Sequence, residues 1–140
     1  MEKKSTKIAY FVALGVFIVL LVILGITFKE NCPDTRNSKV VDIINRLREY
    51  DIQPVVTDPW ADAEVAKQVY DVELVPFDEI PKADCVIVAV GHGEFRDLSL
   101  MQLRELFKGE LSNDERVLID VKSLYRMDEL KASGLRFWRL

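Results

Sequence analysis

The chain has 140 residues, enough for one domain with a real core and too few for two large ones. With 19 Lys and Arg against 23 Asp and Glu, the net charge of −4 argues against nucleic acid as a partner, since neutralising phosphates needs an excess of cations. A single histidine excludes a His-rich metal site, and two cysteines, Cys32 and Cys85, fit neither a zinc spacing nor a disulfide framework, so a reducing compartment is expected.

From Ile8 to Phe28 the sequence carries no charge, and the run exceeds the ~20 apolar residues that cross a bilayer. Lys3, Lys4 and Lys7 precede it, so on its own it reads as a signal anchor, a transmembrane helix within residues 8–28. Beyond Phe28 the period changes. "SKVVDIINRLREY" puts Val40, Val41, Ile43, Ile44 and Leu47 on one helical face, with Asn37 or Ser38 as cap. "IQPVVTDP" predicts a short strand stopped by Asp58 and Pro59, and "ADAEVAKQVY" a second helix. "VELV" predicts another short strand, followed by an irregular or one-turn connection through "FDEIPKA". "DCVIVAV" is the uninterrupted apolar strand of a sheet covered on both faces, and it runs into a glycine-rich loop, "GHGEF". "SLMQLRELF" predicts a third helix, "RVLIDV" a strand, "LYRMDELKAS" a fourth helix ended by Gly134, and "LRFWRL" an edge strand.

Alternating strands and helices mean an α/β fold, a Rossmann-like parallel sheet with helices on both faces. Such a sheet needs a strand before the Val40 helix, and only "LVILGITF" offers one. Val22 to Phe28 is therefore claimed by both bilayer and sheet. Placing it in lipid would expose apolar faces at ~1.5–3 kcal/mol per large side chain, against a domain stability of only about 5–15 kcal/mol. The expected division is an apolar N-terminal helix within residues 1–21 and a soluble domain over 22–140.

In that architecture ligands bind beyond the carboxyl ends of the strands, which directs attention to Lys29–Arg36, Asp58–Trp60, Gly91–Phe95 and Asp120–Ser123. No G-x-G-x-x-G, phosphate loop or nucleophile elbow is present. The turn after the first strand is charged instead. Its Lys29 and Arg36, at a helix amino end, have the chemistry to hold a diphosphate, although spacing alone favours a solvated, capped loop. His92 stands at a strand's carboxyl end, a place for a general base, and is expected instead at the surface with a structural hydrogen bond. Trp60 has two uses, stacking on a base or covering the sheet end, and Asp58 reads as a strand-end turn residue. Cys32 reads as an ordinary loop cysteine, with no base beside it to activate a thiolate.

"GITFKENCPDTRNSKVVDIINRLREY", "VVTDPWAD" and "DCVIVAV" resemble, in order, the C-terminal UDP-binding domain of the UDP-glucose/GDP-mannose dehydrogenase family. The wording "TFKENCPDTRNSK" is nearest the branch that oxidises UDP-N-acetylhexosamines for capsule, Vi-antigen and O-antigen synthesis. The resemblance runs from about Val22 to Leu140.

It implies an NAD-dependent, two-step oxidation of a sugar C6 alcohol, performed by a longer enzyme. Phe28, Lys29 and Lys122 would contact the UDP-sugar, and Arg36 would reach the NAD pyrophosphate across the interdomain cleft. Lys122 stands where the family more often has Arg, and so lacks the planar fork. "GHGEF" departs from the family's "A-H-x-E-F" by its two glycines. The family's catalytic thiol and main NAD fingerprint do not occur in this sequence, so the chain alone is expected to be inactive. The chain would then be a fragment lacking those parts, from a truncated or frameshifted gene, or a split protein that meets its catalytic half in trans, in the cytoplasm or at a membrane. The competing reading is a membrane-anchored, non-catalytic interaction protein.

Overall fold

The computed structural model describes residues 19–140. In chain order the elements are β1 (Leu21–Leu24), α1 (Lys39–Glu49), β2 (Val55–Thr57), α2 (Ala63–Tyr70), β3 (Cys85–Val88), α3 (Gly93–Arg96), α4 (Leu100–Arg104), β4 (Val117–Asp120), α5 (Met127–Ser133) and β5 (Arg136–Arg139). The strands form one sheet in the order β2-β1-β3-β4-β5, with every pairing parallel.

β1 is the hinge of this order. It pairs with β2 on one side (Leu24 opposite Thr57) and β3 on the other (Leu24 opposite Val88), and all four of its side chains are buried. Alternation splits them between two cores. Leu21 and Ile23 pack with Val40 and Ile44 of α1 and Ala66 of α2; Val22 and Leu24 face Phe95, Leu103 and Leu130 from α3, α4 and α5. Helices thus cover both faces, which explains why β1 and β3 are continuously apolar.

The placement of Leu21–Leu24 overturns a bilayer span over residues 8–28, because this stretch is the buried centre of the sheet. The expected apolar N-terminal helix lies outside the described residues. Among those residues, no helix is long and apolar enough to cross a membrane.

Three further expectations change. The first strand stops at Leu24, not Phe28, because Gly25 takes φ +97° and lies against β3's end: a Cβ there would meet the Val90 Cβ at 2.5 Å. "VELV" makes only an isolated bridge, Val56 to Leu74, at the outer edge of β2. The "GHGEF" stretch, expected as a glycine-rich loop, winds into α3 directly after His92.

Local chemistry sets the ends of the longer helices. Ser38 caps α1 by accepting the Val40 N–H at 3.2 Å, while Asp62 caps α2 through the Glu64 and Val65 N–H groups. Gly134 ends α5 in the left-handed region at φ +75°.

Candidate functional site

The strand order reverses between β1 and β3: the chain leaves β1 toward β2 and returns on the other side. Their connections part at the carboxyl edge, leaving a crevice there. A cleft of about 260 Å³ occupies this point. Its wall is formed by Thr27 and Phe28 after β1, the start of α1 at Ser38–Val40, Ala89 and Val90 after β3, and Val121 and Lys122 after β4. Phe28 presents its ring with 55% of the residue exposed, although it lies beside a buried Thr27. The amino end of α1 adds a positive dipole end, and the Lys39 and Lys122 side chains supply cations.

The structure therefore unites two of the four residues singled out in the sequence. Phe28 and Lys122 line one cleft, though they lie far apart in the sequence. Lys29 is exposed immediately beside the cleft, on the same turn as Phe28, but is not part of its lining. Arg36 is not part of it either. Its guanidinium forks onto Asp34, Nε to Oδ1 at 3.0 Å and Nη2 to Oδ2 at 2.9 Å, with the side chain 82% exposed. This fork and the Arg36 backbone N–H hold the Asp34 carboxyl at about 2. Arg36 is a solvent-facing cation, with its carboxylate partner already in place.

Beneath this turn lies a buried polar network. Asp58, at the end of β2, accepts five hydrogen bonds: from the Ile26 N–H at 2.7 Å, Thr27 N–H at 3.2 Å, Trp60 N–H at 2.8 Å, Ala61 N–H at 2.9 Å and His92 Nε2 at 3.0 Å. Both the Asp58 and His92 side chains are 0% exposed. Burial pushes the Asp58 carboxyl up, but His92 and the backbone donors outweigh it and leave the group below its ordinary value. His92 Nδ1 accepts the Asn31 N–H at 2.9 Å, and the Asn31 Oδ1 accepts the Gly93 N–H at the same distance. The Thr27 hydroxyl donates to the Lys29 carbonyl at 2.9 Å and stands 3.1 Å from His92 Nε2. Trp60 stacks over the imidazole at 6.4 Å between centroids and donates its Nε1–H to Glu94 at 3.1 Å; Phe95 closes another side at 5.6 Å.

This network corrects two expectations. His92 is sealed rather than superficial, so it is closed to any substrate as a general base. Asp58 does more than end a strand, because it ties the ends of β1, β2 and β3 together. Trp60 covers the sheet end, and its indole N–H is already engaged. The sequence held a partial signal for this arrangement: Asp58, His92 and Asn31 each stand just beyond an apolar strand. Nothing in their spacing foretells that they meet.

A larger cleft of about 560 Å³ lies on the β2 side, between Pro59, Leu74–Phe77 and Phe95. Its lining contains no Lys or Arg, while its two carboxylates, Asp58 and Glu94, are occupied by the bonds described above. It therefore lacks the charge to hold an anion, and the cationic crevice at the switch point is the better candidate. Among the described residues, no cluster of three or more His, Cys, Asp or Glu could hold a metal ion.

A model of the UDP-glucose/GDP-mannose dehydrogenase family, UDP binding domain, matches residues 22–127. The chain is 44% identical over 112 residues to a UDP-N-acetyl-D-glucosamine 6-dehydrogenase of Pseudomonas aeruginosa, covering 80% of this chain and 25% of that enzyme. It is 38% identical over 104 residues to the enzyme of that name from Salmonella typhi, covering 73% of this chain and 23% of the relative. The crystal structure of an NDP-N-acetyl-D-galactosaminuronic acid dehydrogenase from Methanosarcina mazei Go1 superimposes with a TM-score of 0.70 at 19% identity, over 97% of this chain and 28% of that one, which supports the fold alone. The chain thus spans about a quarter of the length of the relatives it matches.

Proposed function

The chain belongs to the UDP-glucose/GDP-mannose dehydrogenase family, and from that premise we propose that its switch-point cleft receives the diphosphate of a UDP-sugar. Residues 22–140 act as the nucleotide-sugar-binding domain of an NAD-dependent UDP-sugar 6-dehydrogenase in polysaccharide biosynthesis. One observation carries the reading: Phe28 and Lys122, from opposite ends of the sequence, meet at the amino end of α1. Phe28 offers an exposed ring to the base or ribose. Lys122 and the α1 dipole face the diphosphate, and Lys29 approaches it from the rim.

The size of the cleft supports a half-site. Ligand pockets enclose roughly 300–1,000 Å³, and this one offers about 260 Å³. The rest of the enclosure is assigned to the remaining three-quarters of the enzyme, supplied by a longer chain or a partner in trans. That portion would also hold the catalytic thiol and the main NAD site, and the exposed Arg36 would leave Asp34 to reach the NAD pyrophosphate across the interdomain cleft. The substrate is a UDP-N-acetylhexosamine, as named for the bacterial relatives, and the working compartment is the cytoplasm, where NAD and UDP-sugars are found.

Isothermal titration of the chain with UDP-N-acetylglucosamine tests the reading. Binding is expected, and Lys122→Ala and Lys29→Ala should each raise the Kd by about tenfold, the loss of one charge-assisted contact. Absence of heat at millimolar ligand would end it.

A further inference from the structure

The proposed ligand meets the Phe28–Lys29 turn, which is closed locally by the Thr27 hydroxyl on the Lys29 carbonyl and by the Phe28 N–H on the Asp34 carbonyl at 2.7 Å, and is tied to the rest of the fold from below. Asn31 sits at φ +53°, a region that asparagine adopts more readily than other non-glycine residues, and both its backbone N–H and its side chain are paired from outside the turn. The backbone N–H is held by His92. Resting on the reading above, we infer that His92, as the neutral tautomer protonated at Nε2, is the positioning residue of the nucleotide-binding turn.

The tautomer follows from its partners. A backbone N–H can only donate, so the Asn31 N–H at 2.9 Å requires a lone pair on His92 Nδ1. The ring proton is then on Nε2, where the Asp58 carboxylate accepts it at 3.0 Å. The Thr27 hydroxyl fits this assignment: its own proton goes to the Lys29 carbonyl, leaving its oxygen to accept. Reversing the tautomer would set Nδ1–H against the Asn31 N–H and deprive Asp58 of a donor. Asp58 thus selects the tautomer, and the tautomer selects the turn. The Asn31 side chain completes the clasp by accepting the Gly93 N–H at 2.9 Å.

Phe28 and Lys29 lie between the two anchored points, Thr27 and Asn31. Their side chains are exposed while their backbone is held from below, so they are pre-placed for a ligand without touching His92. A turn that need not be ordered on binding loses less affinity to conformational entropy. Trp60, Phe95 and the Glu94 carboxylate that holds Trp60 shield the imidazole from water, and the Asp58 carboxylate is the charged group in contact with it.

Two variants separate positioning from mere stability. H92N places an amide oxygen near the position of Nδ1 and keeps an acceptor for Asn31; H92Q keeps a donor near Nε2 for Asp58 and leaves the Asn31 N–H unpaired. Both should unfold at lower urea concentration than the parent chain. UDP-N-acetylglucosamine affinity should fall about tenfold in H92Q and much less in H92N. Equal loss in both variants, or loss that follows stability alone, would overturn the inference. Because His92 is the only histidine, ¹⁵N-histidine labelling gives one imidazole signal pair without assignment, and it should report the proton on Nε2. A proton on Nδ1 would also overturn it. If the parent chain binds no nucleotide, the functional reading fails. The clasp is then decided by hydrogen exchange at the Asn31 amide, which should quicken in H92Q and stay slow in H92N; equal exchange in the two would reject it.

Discussion

Asp58 and Asp34 are both carboxylates at the carboxyl edge of the sheet, and they hold charge in opposite ways. Asp58 is sealed, with its oxygens filled by backbone N–H groups and His92. Asp34 lies on the turn above, forked onto an exposed Arg36. Burial makes the first a joint between strands: leaving it means leaving donors unpaired in a dry interior. Exposure makes the second cheap to break, since water screens the pair and solvates each partner. Structure sits on the inner carboxylate, and the outer cation stays available to a ligand.

The largest effect should come from removing the inner joint. Asp58→Ala strands four backbone N–H groups and His92 Nε2, and should cost about 3–5 kcal/mol of unfolding free energy, the range for breaking a buried charged network. Urea unfolding monitored through Trp60 and Trp138 would read it. The same contrast has a pH arm. The folded Asp58 carboxyl lies below the ordinary value, so its stabilisation is complete above the unfolded carboxyl value of ~3.9 and is lost as pH falls through the folded one. The parent chain should lose stability below about pH 4, and Asp58→Ala should lose less over the same range. Equal acid slopes would place the linkage on other carboxylates.

Next in size is the bend where β1 hands over to the turn. Gly25→Ala would press a methyl to 2.5 Å from the Val90 Cβ and hold an alanine at φ +97°. Both overpacking and left-handed strain apply, for a cost of about 2–4 kcal/mol. Because Val90 also lines the cleft, nucleotide affinity should fall along with the unfolding midpoint. A fall in stability with affinity intact would show that the cleft tolerates movement at its floor.

These effects mark which parts of the fold a sequence can display. The strands and longer helices were legible because each rests on period and caps: "DCVIVAV" as a two-faced apolar strand, Ser38 and Gly134 as helix ends. Lys29, Arg36, Phe28 and Lys122 stood out through family resemblance, and two of them do share a cleft. What escaped depends on contacts between distant positions. The early stop of β1 comes from Val90 meeting Gly25 across the sheet, and "VELV" touches β2 only where Leu74 and Val75 meet Val56, too short a contact to extend as a strand. His92 looked superficial because polar residues in glycine-rich loops usually are; its burial depends on Asp58 and Trp60, brought from the end of β2, as well as on Phe95 one turn further along.

The smallest expected effect sharpens the contrast most. Arg36→Ala removes the outer fork, whose partners are exposed, so unfolding free energy should stay within about 0.5 kcal/mol. Affinity of the chain for UDP-N-acetylglucosamine should also stay unchanged, since Arg36 is absent from the cleft lining that holds Phe28 and Lys122. A tenfold loss would mean the guanidinium leaves Asp34 for the UDP diphosphate, and would move Arg36 from the cofactor side of the site to the substrate side. An unchanged Kd leaves Arg36 free to serve the cofactor, and that role should emerge only in the complete dehydrogenase, as a raised KM for NAD with the KM for UDP-sugar held constant.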